Sequence, residues 1–269
     1  MNKSFIVLVT LFLSTVIFSQ TKTIFIDETN REITKDEFKE KCNTYFYKCF
    51  DYASDTLKFK KVLYRYSFGQ LTNDELTQIK LLLKSDQNIE LKKDEFLVVK
   101  YWDTITNFQE RLRRYKIHVK KHESEDNTIE HKEFNRKIHD SNIASWVKKK
   151  KKCIKNFKKR YPIEIIYMYR NDTGGIQDYK EFNWISDERN IFKNRFFKLM
   201  NNYHLLVVKP NGNYFLCGGH FSEKSLKSLL NTEDWNEILI DYNTFRTKFR
   251  KNGYGIFKKP NFYHKSQCF

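Results

Sequence analysis

Five cysteines, Cys42, Cys49, Cys153, Cys217 and Cys268, are the side chains of this 269-residue sequence with the most chemistry to offer. No two of them form a Cys-x-x-Cys pair, the spacing that sets an attacking thiol beside a resolving one. An odd count leaves at least one thiol unpaired, or paired between molecules, in an oxidising compartment. Cys42 and Cys49 stand seven apart. On one continuous helix they would share a face about 10 Å from each other, beyond bridging range, so each is expected to find another partner or stay reduced. Cys153 and Cys217 are the redox candidates. Lysines around Cys153 favour a thiolate, but its phase with Trp146 and Phe157 puts it on a buried helix face, where thiols are inert. Cys217 ends an apolar strand beside Gly218-Gly219 and reads as core. Cys268, in the tail from Phe262 to Phe269, either staples the tail down or stays loose.

Other constellations are weaker. His118 and His122 lie one helical turn apart, the spacing of a two-ligand metal site, yet no motif supplies a third ligand, so no metal or other cofactor is expected. The stretch after Asp27 resembles a calcium loop only superficially, because Arg31 and Glu32 stand where oxygen ligands and a sixth-position glycine are needed. Serine and cysteine hydrolase readings fail for want of Gly-x-Ser-x-Gly or a Cys-His pair fixed by spacing.

The formal charge is +17. Its densest source is Lys148 to Lys152 followed by Lys155, Lys158, Lys159 and Arg160, on the exposed face of a helix from Ser141 to Tyr161 whose apolar stripe is Ile143, Trp146, Cys153, Ile154 and Phe157. Lys149, Lys152, Lys159 and Arg160 are the anion-binding candidates, for an acidic polymer or anionic lipid headgroups. Either acids around Glu123, Glu125 and Asp126 fold over this face or it stays open. Nucleic acid is an unsuitable partner, since the chain reads as exported and carries no RNP, helix-turn-helix or zinc pattern.

Export is read from the first twenty residues. Asn2 and Lys3 precede an uncharged apolar run from Phe5 to Phe18 that ends in Ser19-Gln20, the pattern of a cleaved signal peptide and too short to span a bilayer. No cysteine follows closely enough to take a lipid anchor. The expected address is the periplasm of a Gram-negative bacterium or the extracellular space, with no transmembrane segment in the mature chain.

The elements that must position these residues are marked by capping and periodicity. Thr34-Lys35-Asp36-Glu37 and Thr72-Asn73-Asp74-Glu75 are capping boxes, the first opening a helix towards Ala53 and the second one that carries Leu76, Ile79, Leu82 and Leu83. Phe96 to Tyr101 and Ile163 to Tyr169 are strands, the first with the unbroken apolar run of a central position. Leu205 to Val208, the turn Lys209-Pro210-Asn211-Gly212 and Tyr214 to Cys217 make a β-hairpin. Helices follow from Ser222 to Leu230 and over Trp235 to Phe249. The fold class is α/β, a mixed sheet flanked by helices. The expected parts are a mainly helical region at 21–94, a sheet domain at 95–230 with an inserted charged segment at 116–140, and a C-terminal helix and tail at 231–269.

Strand, helix, strand, helix, hairpin, helix from Glu95 to Leu230 resembles the thioredoxin-like fold. Leu205 to Tyr214 with Gly218-Gly219 is similar to the closing hairpin of the periplasmic thiol-disulfide reductases. The resemblance implies a Cys-x-x-Cys at the start of the first core helix, a position that counting back from Tyr161 puts near Ala144 and Val147. It also implies a cis-proline before the hairpin, where this chain has Asn202-Tyr203-His204. Both signatures are absent, so the resemblance implies a degenerate, non-catalytic envelope protein acting in binding or scaffolding, without a cofactor and with an envelope protein or acidic polymer as partner. The alternatives are an oxidoreductase with a non-standard cysteine pair and a polyanion-binding envelope protein.

Overall fold

The computed structural model describes residues 23–53, 57–123, 134–198, 203–247 and 253–259, with side chains of 121–123 left aside. The leader, Glu125, Asp126 and Cys268 therefore lie outside the described residues. The chain is α/β and divides into two compact units, residues up to 43 with 49–63, and residues 44–48 with everything from Tyr64 onward.

The first unit carries β1 (Thr23–Ile26), α1 (Lys35–Cys42), β2 (Tyr47–Ala53) and β3 (Lys58–Tyr64) in a three-stranded sheet of order β1-β3-β2, with β1 parallel to β3. The turn after β1 is closed by Asp27, whose carboxylate accepts from the backbone N–H of Thr29 and Arg31 and from the Arg31 guanidinium. Thr34 and Glu37 form the expected capping box of α1. The helix does not run to Ala53, however. It ends at Cys42, and the alternating, aromatic-rich Tyr47-Lys48-Cys49-Phe50-Asp51-Tyr52 forms a strand, as half-buried aromatic alternation favours. The expectation of a mainly helical 21–94 is corrected accordingly: four strands and two helices occupy its described part.

The second unit is built on a six-stranded sheet from β4 (Tyr66–Gln70), β5 (Phe96–Ile105), β6 (Ile163–Asp172), β7 (Trp184–Ser186), β8 (Leu205–Val208) and β9 (Asn213–Cys217), in the order β4-β9-β8-β5-β6-β7. The helices are α2 (Asn73–Gln87), α3 (Phe108–Glu123), α4 (Arg136–Lys158), α5 (Ile191–Phe196), α6 (Glu223–Asn231) and α7 (Asn236–Thr247). β5, β6 and β7 run parallel, while β8 is antiparallel to β5, β9 to β8 and β4 to β9. The two strands expected from their apolar runs thus share a sheet as neighbours. The predicted hairpin forms, and Gly212 supplies the positive φ of +88° that its turn requires.

One face of the sheet presents Leu97, Val99, Tyr101, Ile166, Met168, Leu206 and Leu216 to Ile79 and Leu83 of α2 and Phe192 and Phe196 of α5. On the other face, cross-strand register aligns Tyr66, Cys217, Leu205, Lys100, Tyr167 and Trp184 in one row across six strands. α4 packs over this row, with Trp146 edge-on to Tyr167. α5 is held by Asp187, a buried carboxylate that accepts from the backbone N–H of Phe192 and Lys193 and from the Tyr101 hydroxyl. No described helix is long and apolar enough to cross a membrane.

Candidate functional site

The cysteines sort into closed and buried. Cys42 and Cys49 form a disulfide with Cα atoms 5.8 Å apart, which corrects the expectation that they could not meet. The expectation assumed one continuous helix; the chain instead leaves α1 at Cys42 and returns as β2, bringing Cys49 back beside the helix end. Cys153 sits on the buried face of α4, as its phase predicted, but is oxidised in a disulfide rather than a thiol. Cys217 is the free cysteine among the described residues and has no exposed surface. Burial pushes its thiol up to about 12, although Lys100, Arg65 and Lys48 pull the other way. A thiol held protonated and out of solvent is a poor nucleophile.

Cations crowd around it. Arg65 donates to the carbonyls of Tyr45, Tyr47 and Gly218. His204 donates from both its backbone N–H and ring Nδ1 to the Cys217 carbonyl, each at 3.1 Å, and burial with Lys100 nearby pushes its imidazole down to about 3, so it is neutral. Lys100, in the middle of β5, is 7% exposed, and desolvation pushes its ammonium down to about 8.

The helix that follows β5 begins at Phe108, two residues past the strand, with the Asn107 side chain accepting from the Glu110 N–H as its cap. Ala144 and Val147, the positions expected at a helix start, lie instead more than two turns inside α4. The residues at the true start are Thr106, Asn107, Phe108 and Gln109, with no thiol among them.

The cationic face is where the sequence places it. Lys151 reaches Glu181 at 3.4 Å and Lys158 reaches Glu164 at 2.6 Å. Lys150 is half-buried against Trp146, and desolvation pushes it down to about 8. Lys148, Lys149, Lys152, Lys155, Lys159 and Arg160 are exposed, and none makes an ion pair among the described residues. Among the described residues, the acids that pair with lysines of α4 include Glu164 of β6 and Glu181 in the loop before β7.

His118 is exposed on α3, and the side chain of His122 lies outside the described residues. The group whose ligand atoms converge is His139, Asp140 and Asp178. It does not suit a cation. Arg136 donates to Asp178 at 2.6 Å and pairs with Asp140 at 2.9 Å, and His139 Nε2 takes the second Asp178 oxygen at 2.9 Å. These contacts clamp the first turns of α4 to the 3-10 turn Ile176–Tyr179.

A set of residues that sequence reasoning left unassembled surrounds Trp146. Its ring lies 5.4 Å from Trp102, 4.9 Å from Phe182 and 5.9 Å from Trp184, all centroid to centroid. The available signal was Trp102 directly after the central apolar run, two residues along the same strand face from Lys100. No family model, curated protein or solved structure matches the chain.

Proposed function

We propose that this is an exported, non-catalytic binding protein built on a degenerate thioredoxin-like domain. The sheet order supports the fold reading: β6-β5-β8-β9 places the first two strands of the core parallel and the hairpin antiparallel beside the first strand, with helices between in the expected sequence. Export rests on the apolar run from Phe5 to Phe18. The observation that carries the non-catalytic reading is the state of the sulfur atoms. Cys42, Cys49 and Cys153 are in disulfides, Cys217 has no exposed surface, and Thr106 to Gln109 open α3 without a thiol. Insulin reduction by the mature protein with dithiothreitol as donor tests it. Turnover at the uncatalysed rate is expected; turnover abolished by Cys217→Ser or by Cys42→Ser would favour the oxidoreductase instead.

A second reading, a polyanion-binding envelope protein, is favoured by the unpaired cations of α4. Lys148, Lys152, Lys155 and Lys159 recur at i, i+4, i+7 and i+11, a single stripe, and like charges one turn apart cost a few tenths of a kcal/mol per pair. Retention on heparin or anionic vesicles should fall steeply with salt and drop when Lys149, Lys152 and Lys159 are changed to Gln. Unchanged retention in that variant would remove this reading.

A further inference from the structure

Over the last residues of β5 the second unit contains a cavity of about 410 Å³, within the range of roughly 300–1,000 Å³ typical of small-ligand sites. It is at the carboxyl-terminal side of the parallel strands, the side on which open α/β sheets bind ligands. Trp102 and Thr104 reach it from β5, Arg111 from the first turn of α3, Asn142 and Trp146 from α4, and Tyr179 from the 3-10 turn.

The walls are fixed. Trp102 and Trp146 both pack on Trp184, which lies 4.4 Å from the first and parallel to the second, so the two indoles are held as one cluster. Arg111 is positioned by a hydrogen bond from its Nη2 to the Tyr179 hydroxyl. No carboxylate pairs with it among the described residues. The nearby acids are committed elsewhere, Glu110 to Arg113 and Arg114, Asp178 to Arg136 and His139, and Asp103 to Lys193 and Arg170. A guanidinium with one N–H used and no counter-ion is a fork for an incoming carboxylate.

The remaining groups narrow the ligand. Trp102 and Trp146 meet at 41°, which gives no parallel slot to sandwich a flat ring but leaves an indole face for the C–H side of a puckered one. Thr104 has only a 3.4 Å hydrogen bond to Asp103, and the exposed Asn142 amide has none, so both are open to ligand hydroxyls. We propose that this cavity binds a uronic acid ring, its carboxylate on Arg111, its hydroxyls on Thr104 and Asn142, and its C–H face on indole. The site depends on Arg111 and not on the lysine stripe, so it stands or falls separately from the polyanion reading.

The test uses the mature protein, with galacturonate, trigalacturonate and neutral galactose as probes and tryptophan fluorescence and calorimetry as readouts. Both acids should bind and galactose should bind at least about tenfold more weakly. Arg111→Gln should lower affinity by about tenfold or more, the loss expected for a charge-assisted hydrogen bond, while the Lys149, Lys152, Lys159→Gln variant holds galacturonate unchanged. If Arg111→Gln does not fold by circular dichroism, Arg111→Lys and Asn142→Ala carry the test, each with about a fivefold loss expected. No binding of either acid, equal binding of galactose, preference for benzoate, or loss in the lysine variant but not at Arg111 or Asn142 would overturn the assignment.

Discussion

Replacing Lys100 by Met should stabilise the protein, an unusual outcome for a buried position in a central strand. Lys100 is 7% exposed, no hydrogen bond or ion pair joins its ammonium among the described residues, and of the groups that act on it Lys150 is another cation while Cys217 and His204 are neutral. Burial therefore lowers its pKa from the ordinary 10.5 to about 8, which corresponds to about 3 kcal/mol of strain on the charged form. Below pH 8 both folded and unfolded chains hold the proton, and the folded state bears the whole cost. Between about 8 and 10.5 the unfolded chain binds a proton that the folded chain has lost, so stability rises with pH through that window. Methionine keeps an unbranched side chain one atom shorter and removes the charge. At pH 7 the variant should gain about 2–3 kcal/mol, read as a rise in the urea midpoint of about 1 M at a slope of about 3 kcal/mol per M. The gap to the parent should close by pH 10.5. Lys150, also pushed down to about 8, titrates in the same window and repels Lys100, so the comparison is repeated in a Lys150→Met background to separate the two. Cys217, pushed up to about 12, stays a thiol throughout. A variant less stable than the parent at pH 7, or a gap that does not shrink above pH 8, would refute the reasoning.

Asp187→Ala should cost about 3 kcal/mol in the same unfolding assay, because it strips two N–H groups at the start of α5 and the Tyr101 hydroxyl of their shared acceptor. Replacing Cys42 and Cys49 together by Ser should cost about 2 kcal/mol, the loop-closure value for so short a ring, with circular dichroism of the second unit unchanged. Cys217 should be inert to a thiol reagent in the native protein and react once the chain is unfolded without reductant; rapid native labelling of Cys217 would contradict its burial.

The parts of this fold legible from sequence are those where a local signal and the tertiary requirement agree. Thr34 and Thr72 cap helices because the box is a two-bond local structure that needs no distant partner. Phe96 to Tyr101 reads as a central strand because burial on both faces leaves no polar alternation, and Asn211-Gly212 announces its hairpin through the φ that glycine permits. Where a helix ends without a breaker the signal fails: nothing between Cys42 and Tyr47 is proline or glycine, so the helix-to-strand switch and the disulfide it allows were invisible. The start of α3 was misplaced for a related reason. Thr104-Ile-Thr-Asn107 has no strong helix former, and the sharper periodicity of α4 drew the first core helix towards itself. The cavity depends on Trp102, Arg111, Asn142 and Tyr179 from four separate elements, a convergence no local spacing encodes.

The strand pairing also dictates the order in which the second unit can assemble. β5 finds β6 only after the two long helices between them, and β8 inserts on its other side later still. β4, made early, has no partner until β9 arrives about 150 residues later, when Tyr66 meets Cys217. Such distant pairings raise the loop-closure cost of the folding nucleus and slow it. A nascent chain therefore leaves β4 unpaired, and one edge of β5 uncovered, until the β8–β9 hairpin has been made.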